Sequence, residues 1–109
     1  MSPAHRLFAV ILARDGYRCV YCEATPDEDG EPLSVDHVIP RANTTREVGD
    51  DNDAPSNLVT ACRYCNSLKR DMTLPVFAMY LMESRGWTPQ RIVAMMDRVR
   101  VATARRVSV

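Results

Sequence analysis

The sequence has no excess charge of either sign, few aromatic residues and no long apolar run. Its 109 residues contain 14 Lys or Arg and 14 Asp or Glu, which excludes a uniformly basic nucleic-acid coat or a polybasic tail. Because only 6% of residues are aromatic, we expect a core built mainly from Leu, Val, Ile, Ala and the six Met. A composition of 46% hydrophobic and 26% charged residues indicates one folded domain.

No apolar run exceeds seven residues, which is too few to cross a bilayer. The first run, residues 7–13, follows His5 and Arg6 as in a short signal peptide, but no small-residue cleavage site comes after it. The Ser2-Pro3 start signal instead predicts an N-terminal helix that ends before Gly16. We therefore expect a cytoplasmic protein with no membrane partner.

The balanced total hides an uneven distribution of charge. Residues 1–60 contain 5 Arg and 11 Asp or Glu, whereas residues 61–109 contain 9 Arg or Lys and 3 Asp or Glu. The basic second half suits a phosphate-binding face, although an ordinary solvated helical surface would have the same composition. Charge alone leaves these two interpretations open.

Turn and cap signals divide the chain into short elements. Enrichment in Val and Ile predicts a strand over residues 33–39, and a polar loop follows at 41–56. From residue 57 to 70 the pattern is helical, interrupted by a cysteine pair. Two further helices are predicted to begin after Thr73 and after Thr88. The last helix is expected to bury an apolar stripe formed by Ile92, Val93, Met96, Val99 and Val101.

The four cysteines form two Cys-x-x-Cys pairs, Cys19 with Cys22 and Cys62 with Cys65, separated by 39 residues. Two such knuckles supply the four thiolates of a tetrahedral zinc site. Disulfides and a redox pair are the alternatives, but an intracellular chain keeps its thiols reduced, and neither pair opens a helix after a βαβ strand. The spacing therefore predicts a structural zinc, with no coordination position left open for a reaction.

The dipeptide Asp36-His37 lies between the cysteine pairs, at the end of the predicted strand. At a strand end, the two side chains would act on one substrate. The Asp36 carboxylate would bind a cation, and the His37 imidazole would contact a water molecule. A surface acid beside a partly buried histidine is the simpler interpretation of the dipeptide alone. The blocks that follow, at Asn57 and from Cys62 to Lys69, favour the first interpretation.

Together these blocks resemble the HNH endonucleases. The resemblance rests, in the family's order, on residues 14–22, Asp36-His37-Val38-Ile39-Pro40, Asn57-Leu58-Val59 and Cys62-x-x-Cys65-Asn66-x-x-Lys69. It implies an α+β, mostly helical fold, in which a strand-strand-helix core with a four-cysteine structural zinc is flanked by helices. We expect a single domain over residues 1–109, with the motif core at about 14–70 and a C-terminal helical extension at 73–109.

The same resemblance implies roles for individual residues. His37 is the general base, and Asn57 pins the loop between the strands. Asp36 and Asn66 hold a catalytic cation, and Asn66 stands where the family often has its last histidine, as in an H-N-N variant. Carboxylate and amide oxygens are hard donors that suit Mg²⁺ or Mn²⁺ better than zinc. The implied reaction is hydrolysis of DNA phosphodiester bonds, with one base and one cation nicking one strand per site.

The implied partners are DNA and the proteins that process it. HNH proteins of this size resemble those of bacteriophages and mobile elements, which implies a bacterial or phage-infected cell. The expected protein partner takes part in genome packaging or in other nucleic-acid processing. The chain is expected to be a monomer or a homodimer. Acidic residues in the polar loop oppose phosphate binding and depart from the family's pattern: Glu47, Asp50, Asp51 and Asp53. Phosphate contacts are instead expected from Arg63, Lys69 and Arg70, with solvated helix charge as the equal alternative. The alternative function is a catalytically silent, zinc-stabilised module that binds nucleic acid or protein.

Overall fold

The computed structural model describes residues 3–26, 32–41 and 53–107. Its elements are, in chain order, helix α1 (Pro3–Arg14), strand β1 (Leu33–His37), a 3₁₀ turn (Pro55–Asn57), strand β2 (Leu58–Cys62), helix α2 (Arg63–Lys69), helix α3 (Leu74–Arg85) and helix α4 (Pro89–Ala104). This order confirms the predicted α+β, mostly helical fold with a strand-strand-helix core. Most of the predicted acidic stretches, including Glu47, Asp50 and Asp51, lie outside the described residues.

The two strands pair antiparallel, with Leu33 opposite Cys62 and His37 opposite Leu58. Every residue of β2 is buried. The prediction of a helical pattern from residue 57 is therefore wrong for its first part, since the helix begins only at Arg63. A strand buried on both faces has no alternation of polar and apolar residues, and such a run cannot be distinguished from a buried helix by periodicity.

The end of α1 is fastened to β2 by charged side chains that point into the protein. The Arg14 guanidinium donates to the carbonyl of Leu58 at 2.6 Å and to that of Pro55 at 3.0 Å. The Asp15 carboxylate pairs with Arg14 at 2.7 Å and accepts a hydrogen bond from the Thr60 amide at 2.8 Å. These bonds hold the segment that follows Asp15, which contains the first cysteine pair, beside β2.

Helices α3 and α4 are separated by a local stop and start signal, as the sequence predicts. Gly86 ends α3 in the left-handed conformation at φ 71°, which a residue without a Cβ adopts readily. The Thr88 hydroxyl then accepts a hydrogen bond from the Arg91 amide at 3.2 Å and caps α4. Among the described residues, no helix is both long and apolar enough to span a membrane.

The buried face of α4 differs from the predicted apolar stripe. The residues that it buries are Ile92, Met95, Val99 and Ala102. Their spacing of three, four and three residues follows the helical period, whereas Val93 and Val101 of the predicted stripe depart from it. Val93, assigned to the stripe, is 68% exposed, and Met96 and Val101 are only partly buried.

Helix α4 also braces the first cysteine pair. The Arg98 guanidinium donates to the carbonyls of Val20 and Tyr21, both at 2.8 Å. The Tyr21 ring packs edge-to-face on Phe77 of α3, with ring centroids 5.4 Å apart. Because Val20 and Tyr21 lie between Cys19 and Cys22, the C-terminal helices fix the position of a metal-binding turn.

Candidate functional site

The four cysteines converge on one point. The sulfur atoms of Cys19, Cys22, Cys62 and Cys65 all lie within 4.8 Å of one another. The Cys22 and Cys62 sulfurs are 3.7 Å apart, close to the edge of about 3.8 Å that a tetrahedron with 2.3 Å zinc–sulfur bonds requires. The residues therefore fit a tetrahedral Zn²⁺ site.

Each knuckle is a tight turn whose backbone supports its first sulfur. The Cys22 amide donates to the Cys19 sulfur at 3.5 Å, and the Cys65 amide donates to the Cys62 sulfur at 3.4 Å. Hydrogen bonding between the thiols lowers the pKa of Cys22 to about 2 and raises that of Cys19 to about 12. Because four thiolates this close together repel one another, the set needs a cation such as Zn²⁺ to offset its charge.

Asp36 lies in the seam between β1 and α2. Its side chain is buried, and its Oδ2 atom accepts a hydrogen bond from the Tyr21 hydroxyl at 2.5 Å. Burial, and then the charge of Asp36, raise the pKa of Tyr21 well above its usual value, so this hydroxyl stays a donor. The Oδ1 atom has no hydrogen-bond partner among the described residues. One carboxylate oxygen is thus fixed by a hydrogen bond, and the other is not.

Lys69 completes the environment of Asp36. The Lys69 side chain is 0% exposed, and its ammonium lies 3.0 Å from Asp36 Oδ2 and donates to the His37 carbonyl at 2.9 Å. The expectation that Lys69 contacts a DNA phosphate is therefore wrong, because this ammonium already has its partners inside the protein. Of the three residues proposed for phosphate contact, Arg63 and Arg70 are exposed.

Arg70 occupies a strained position. This arginine has φ 48° and ψ −124° at the C-terminal end of α2. A side chain at positive φ costs free energy that glycine does not pay. The conformation explains why glycine suits this position.

His37 is the last residue of β1, and its imidazole has a different partner from the Asp36 carboxylate. Its Nε2 atom lies 2.7 Å from Asp53 Oδ1. Hydrogen bonding from His37, and then from Arg41, lowers the pKa of Asp53, so the carboxylate is an acceptor only. In a neutral imidazole, Nε2 is then the donor, and the lone pair is on Nδ1, which has no partner among the described residues.

Sequence reasoning missed Asp53 as a partner of His37. Asp53 belongs to the acidic residues of the polar loop, and it is 16 positions away from His37 in the chain. The antiparallel return from β1 to β2 brings them together. No spacing rule predicts such a contact, because it depends on the path of the intervening loop.

Asn57 fastens the turn that follows β1. Its Oδ1 atom accepts from the Ile39 amide at 2.8 Å, and its Nδ2 atom donates to the Ile39 carbonyl at 3.1 Å. Its own carbonyl accepts from the Val38 amide at 2.8 Å. The three bonds hold the chain in place directly after His37.

Asn66 lies on α2, facing β1. Its Nδ2 atom donates to the Ser34 hydroxyl at 3.0 Å, and its Oδ1 atom has no partner among the described residues. Two neighbouring side-chain contacts cross the β1–α2 seam, Ser34–Asn66 and Asp36–Lys69. They are neighbours because residues two apart on a strand share a face. No hydrogen bond in the described part of the chain joins any two of Asp36, His37 and Asn66.

Comparison with known families identifies the central part of the chain. Residues 19–71 match the family model described as HNH endonuclease. The match begins at Cys19 and includes both cysteine pairs, both strands and α2. No curated protein sequence matches the chain significantly.

Proposed function

Because residues 19–71 carry a zinc-binding type of HNH endonuclease domain, we propose that the protein is a metal-dependent nuclease that hydrolyses DNA phosphodiester bonds, one strand at each site. The observation that carries this proposal is the state of His37. Its Nε2 atom is engaged by Asp53 and its Nδ1 atom has no partner among the described residues. This is the arrangement that a general base needs.

In the proposed reaction, His37 Nδ1 accepts a proton from a water molecule as the water oxygen bonds to phosphorus. The bond from phosphorus to the leaving 3′ oxygen breaks, and solvent supplies the proton that this oxygen takes up. Asp53 holds the imidazole in the tautomer with the proton on Nε2 and stabilises the imidazolium that forms. Arg41 lies 2.9 Å from the same Asp53 oxygen, which keeps the carboxylate in position. Asn57 fixes the backbone that follows His37 and so restricts the orientation of the His37 imidazole.

Asp36 and Asn66 are the proposed ligands of the catalytic cation. Each offers one oxygen without a hydrogen-bond partner among the described residues, and both lie on the β1–α2 seam. Mg²⁺ or Mn²⁺ held by these hard oxygen donors would supply positive charge against the charge that builds on the phosphate. Tyr21 and Lys69 act as positioning residues, because both hold Asp36 by Oδ2 and leave Oδ1 unpaired.

The alternative is a catalytically silent module that binds nucleic acid or protein. The Asp36–Lys69 pair favours it, since the ammonium already neutralises a carboxylate that would otherwise attract a cation. In both proposals we treat the whole chain as one domain, because Arg98 of α4 braces the first knuckle. We also propose the cytoplasm of a bacterium or of a phage-infected cell as its setting.

Nicking of supercoiled plasmid distinguishes the two functions. The zinc-loaded protein should convert plasmid to the open circle when Mg²⁺ or Mn²⁺ is added, and not without it. His37→Ala should lower the rate by roughly 10²-fold or more. His5→Ala, which changes the only other histidine of the chain, is the matched control and should cut at the parental rate. A parent protein that cuts with neither metal would support the silent module, and a fully active His37→Ala would contradict the assigned base.

A further inference from the structure

A groove lies beside the cysteine cluster, between α2, the end of α3 and the start of α4. It encloses about 1000 Å³ and is lined on one side by Cys22, Cys62 and Cys65. The rest of its wall includes three arginines and two aromatic residues, namely Arg63, Tyr64, Arg85, Trp87 and Arg91. No acidic side chain of the described residues lines it. The groove is thus cationic and has flat apolar surfaces.

The groove continues into the depression that holds Asn66. Arg63 and Ser67 line both cavities, and Asn66 and Ser34 line the second one. A chain molecule that lies in the groove would therefore pass a proposed ligand of the catalytic cation. A polymer fits this continuity better than an isolated small ligand, because the two cavities share a wall along α2.

The arginines of the groove outnumber the formal negative charges of the zinc site. A Zn²⁺ bound by four thiolates has a formal charge of −2, whereas Arg63, Arg85 and Arg91 together carry three positive charges. The Arg91 guanidinium lies over the Trp87 ring, 3.7 Å from its centroid. Stacking holds this cation at the groove wall, so less side-chain entropy is lost when it binds an anion.

Tyr64 gives the groove an exposed aromatic surface. Its side chain is 56% exposed, although it is a large aromatic group next to a cationic groove. An exposed ring of this kind stacks on a nucleic-acid base only when the base is unpaired, because the faces of paired bases are covered by their neighbours in the duplex. Guanidinium groups alone would suit duplex DNA equally well.

We propose that this groove binds an unpaired stretch of a DNA strand, with phosphates on Arg63, Arg85 and Arg91 and a base stacked on Tyr64. The inference that cleavage is directed to DNA with unpaired segments rests on the proposed nuclease function. The binding itself does not rest on that function. It follows from the charge, the exposed ring and the position of the groove.

Binding is measured by fluorescence anisotropy with the zinc-loaded full chain and no added Mg²⁺ or Mn²⁺, so that no cleavage occurs. The probes are a labelled 20-nucleotide single strand of mixed sequence and its duplex. The single strand should bind more tightly. Tyr64→Ala should weaken single-strand binding by about 5- to 150-fold and leave duplex binding unchanged, whereas Tyr64→Phe should bind like the parent.

The arginines are tested by the dependence of affinity on salt. Arg85→Gln combined with Arg91→Gln should reduce the log–log slope by about 1.4, since each lost phosphate contact on a single strand contributes about 0.7. Arg100→Gln combined with Arg106→Gln removes the same charge from residues outside the groove and should leave the slope unchanged. Zinc content and melting temperature are measured for every variant.

The proposal would be overturned in favour of duplex contacts by two results together. The protein would bind the single strand and the duplex with equal affinity, and Tyr64→Ala would bind the single strand like the parent. Groove variants that behave like the Arg100/Arg106 control would overturn the groove as a DNA site. The two proposals also fail separately. Single-strand binding in the groove without any nicking would refute only the nuclease, and nicking that the groove variants leave intact, with unchanged binding, would refute only this inference.

Discussion

Replacing Lys69 by methionine removes the ammonium group that neutralises Asp36 and keeps the length of the side chain. The parent ammonium is fully buried, 3.0 Å from a carboxylate that is itself 6% exposed. Without it, the buried charge of Asp36 keeps the Tyr21 hydroxyl as its only side-chain partner among the described residues. Breaking a buried pair in this way costs about 3–5 kcal/mol, whereas an exposed pair contributes about 0.2–1 kcal/mol.

The double variant Lys69→Met, Asp36→Asn tests whether the charge itself is the cause. Asparagine at position 36 needs no counter-ion and still accepts a hydrogen bond from Tyr21, so most of the lost stability should return. The free energy of unfolding is measured by urea titration of the zinc-loaded protein. Arg100→Met is the control, because Arg100 pairs with Asp97 on the surface and is 72% exposed. A loss below about 1 kcal/mol for Lys69→Met, or no recovery in the double variant, would refute the reasoning.

Four other predictions concern the metal site, the base and the strained turn. Cys62→Ser should abolish zinc binding and folding together, as native mass spectrometry and circular dichroism would reveal; a folded, metal-free parent with two disulfides would contradict this. Asp53→Asn should lower the kcat of nicking by roughly 10-fold or more with KM unchanged, and Asp53→Glu should restore it; equal kcat values would exclude the orienting role. The pKa of Asp53 is lowered from 3.8, so the stability contributed by its bond to His37 persists above pH 3.8 and is lost as the pH falls through the lowered pKa. In ¹³C NMR, the titration midpoint of the Asp53 carboxyl should lie below 3.8 in the parent and should rise in His37→Ala. An unchanged midpoint in that variant would contradict the assignment. Arg70→Gly should raise stability by about 1 kcal/mol and the melting temperature by about 4–8 °C in calorimetry; an unchanged or lower melting temperature would contradict strain at this position.

The features that the sequence predicted well depend on neighbouring residues in the chain. Thr88 and Gly86 mark a helix start and stop because capping and positive φ are decided within one turn. The cysteine cluster follows from the spacing within each pair, since one short turn brings two thiolates to a metal. Local chemistry is sufficient for such features.

The features that the sequence did not predict depend on distant partners. Residues 58–62 are a strand because β1 pairs with them, and their burial on both faces erases the periodicity that would reveal it. Lys69 points inward because Asp36, 33 positions earlier, attracts it. Its place in the motif favoured phosphate contact as much as a solvated helix charge, and neither of these predicts a buried ammonium, which only the three-dimensional structure reveals. The His37–Asp53 contact has the same origin.

Lys69 is the only lysine in the sequence, and every other residue counted as Lys or Arg is an arginine. Its amine is therefore the only side-chain amine that acetylation would neutralise, and it is enclosed in the protein. Guanidinium groups keep their charge throughout the physiological pH range and are not acetylated as lysine is. The positive charge of the exposed arginines is thus permanent. Lysine acylation cannot change how strongly these arginines attract phosphate. An amine-directed reagent would modify the Lys69 side chain only after the β1–α2 seam opens, which makes this residue a chemical reporter of unfolding.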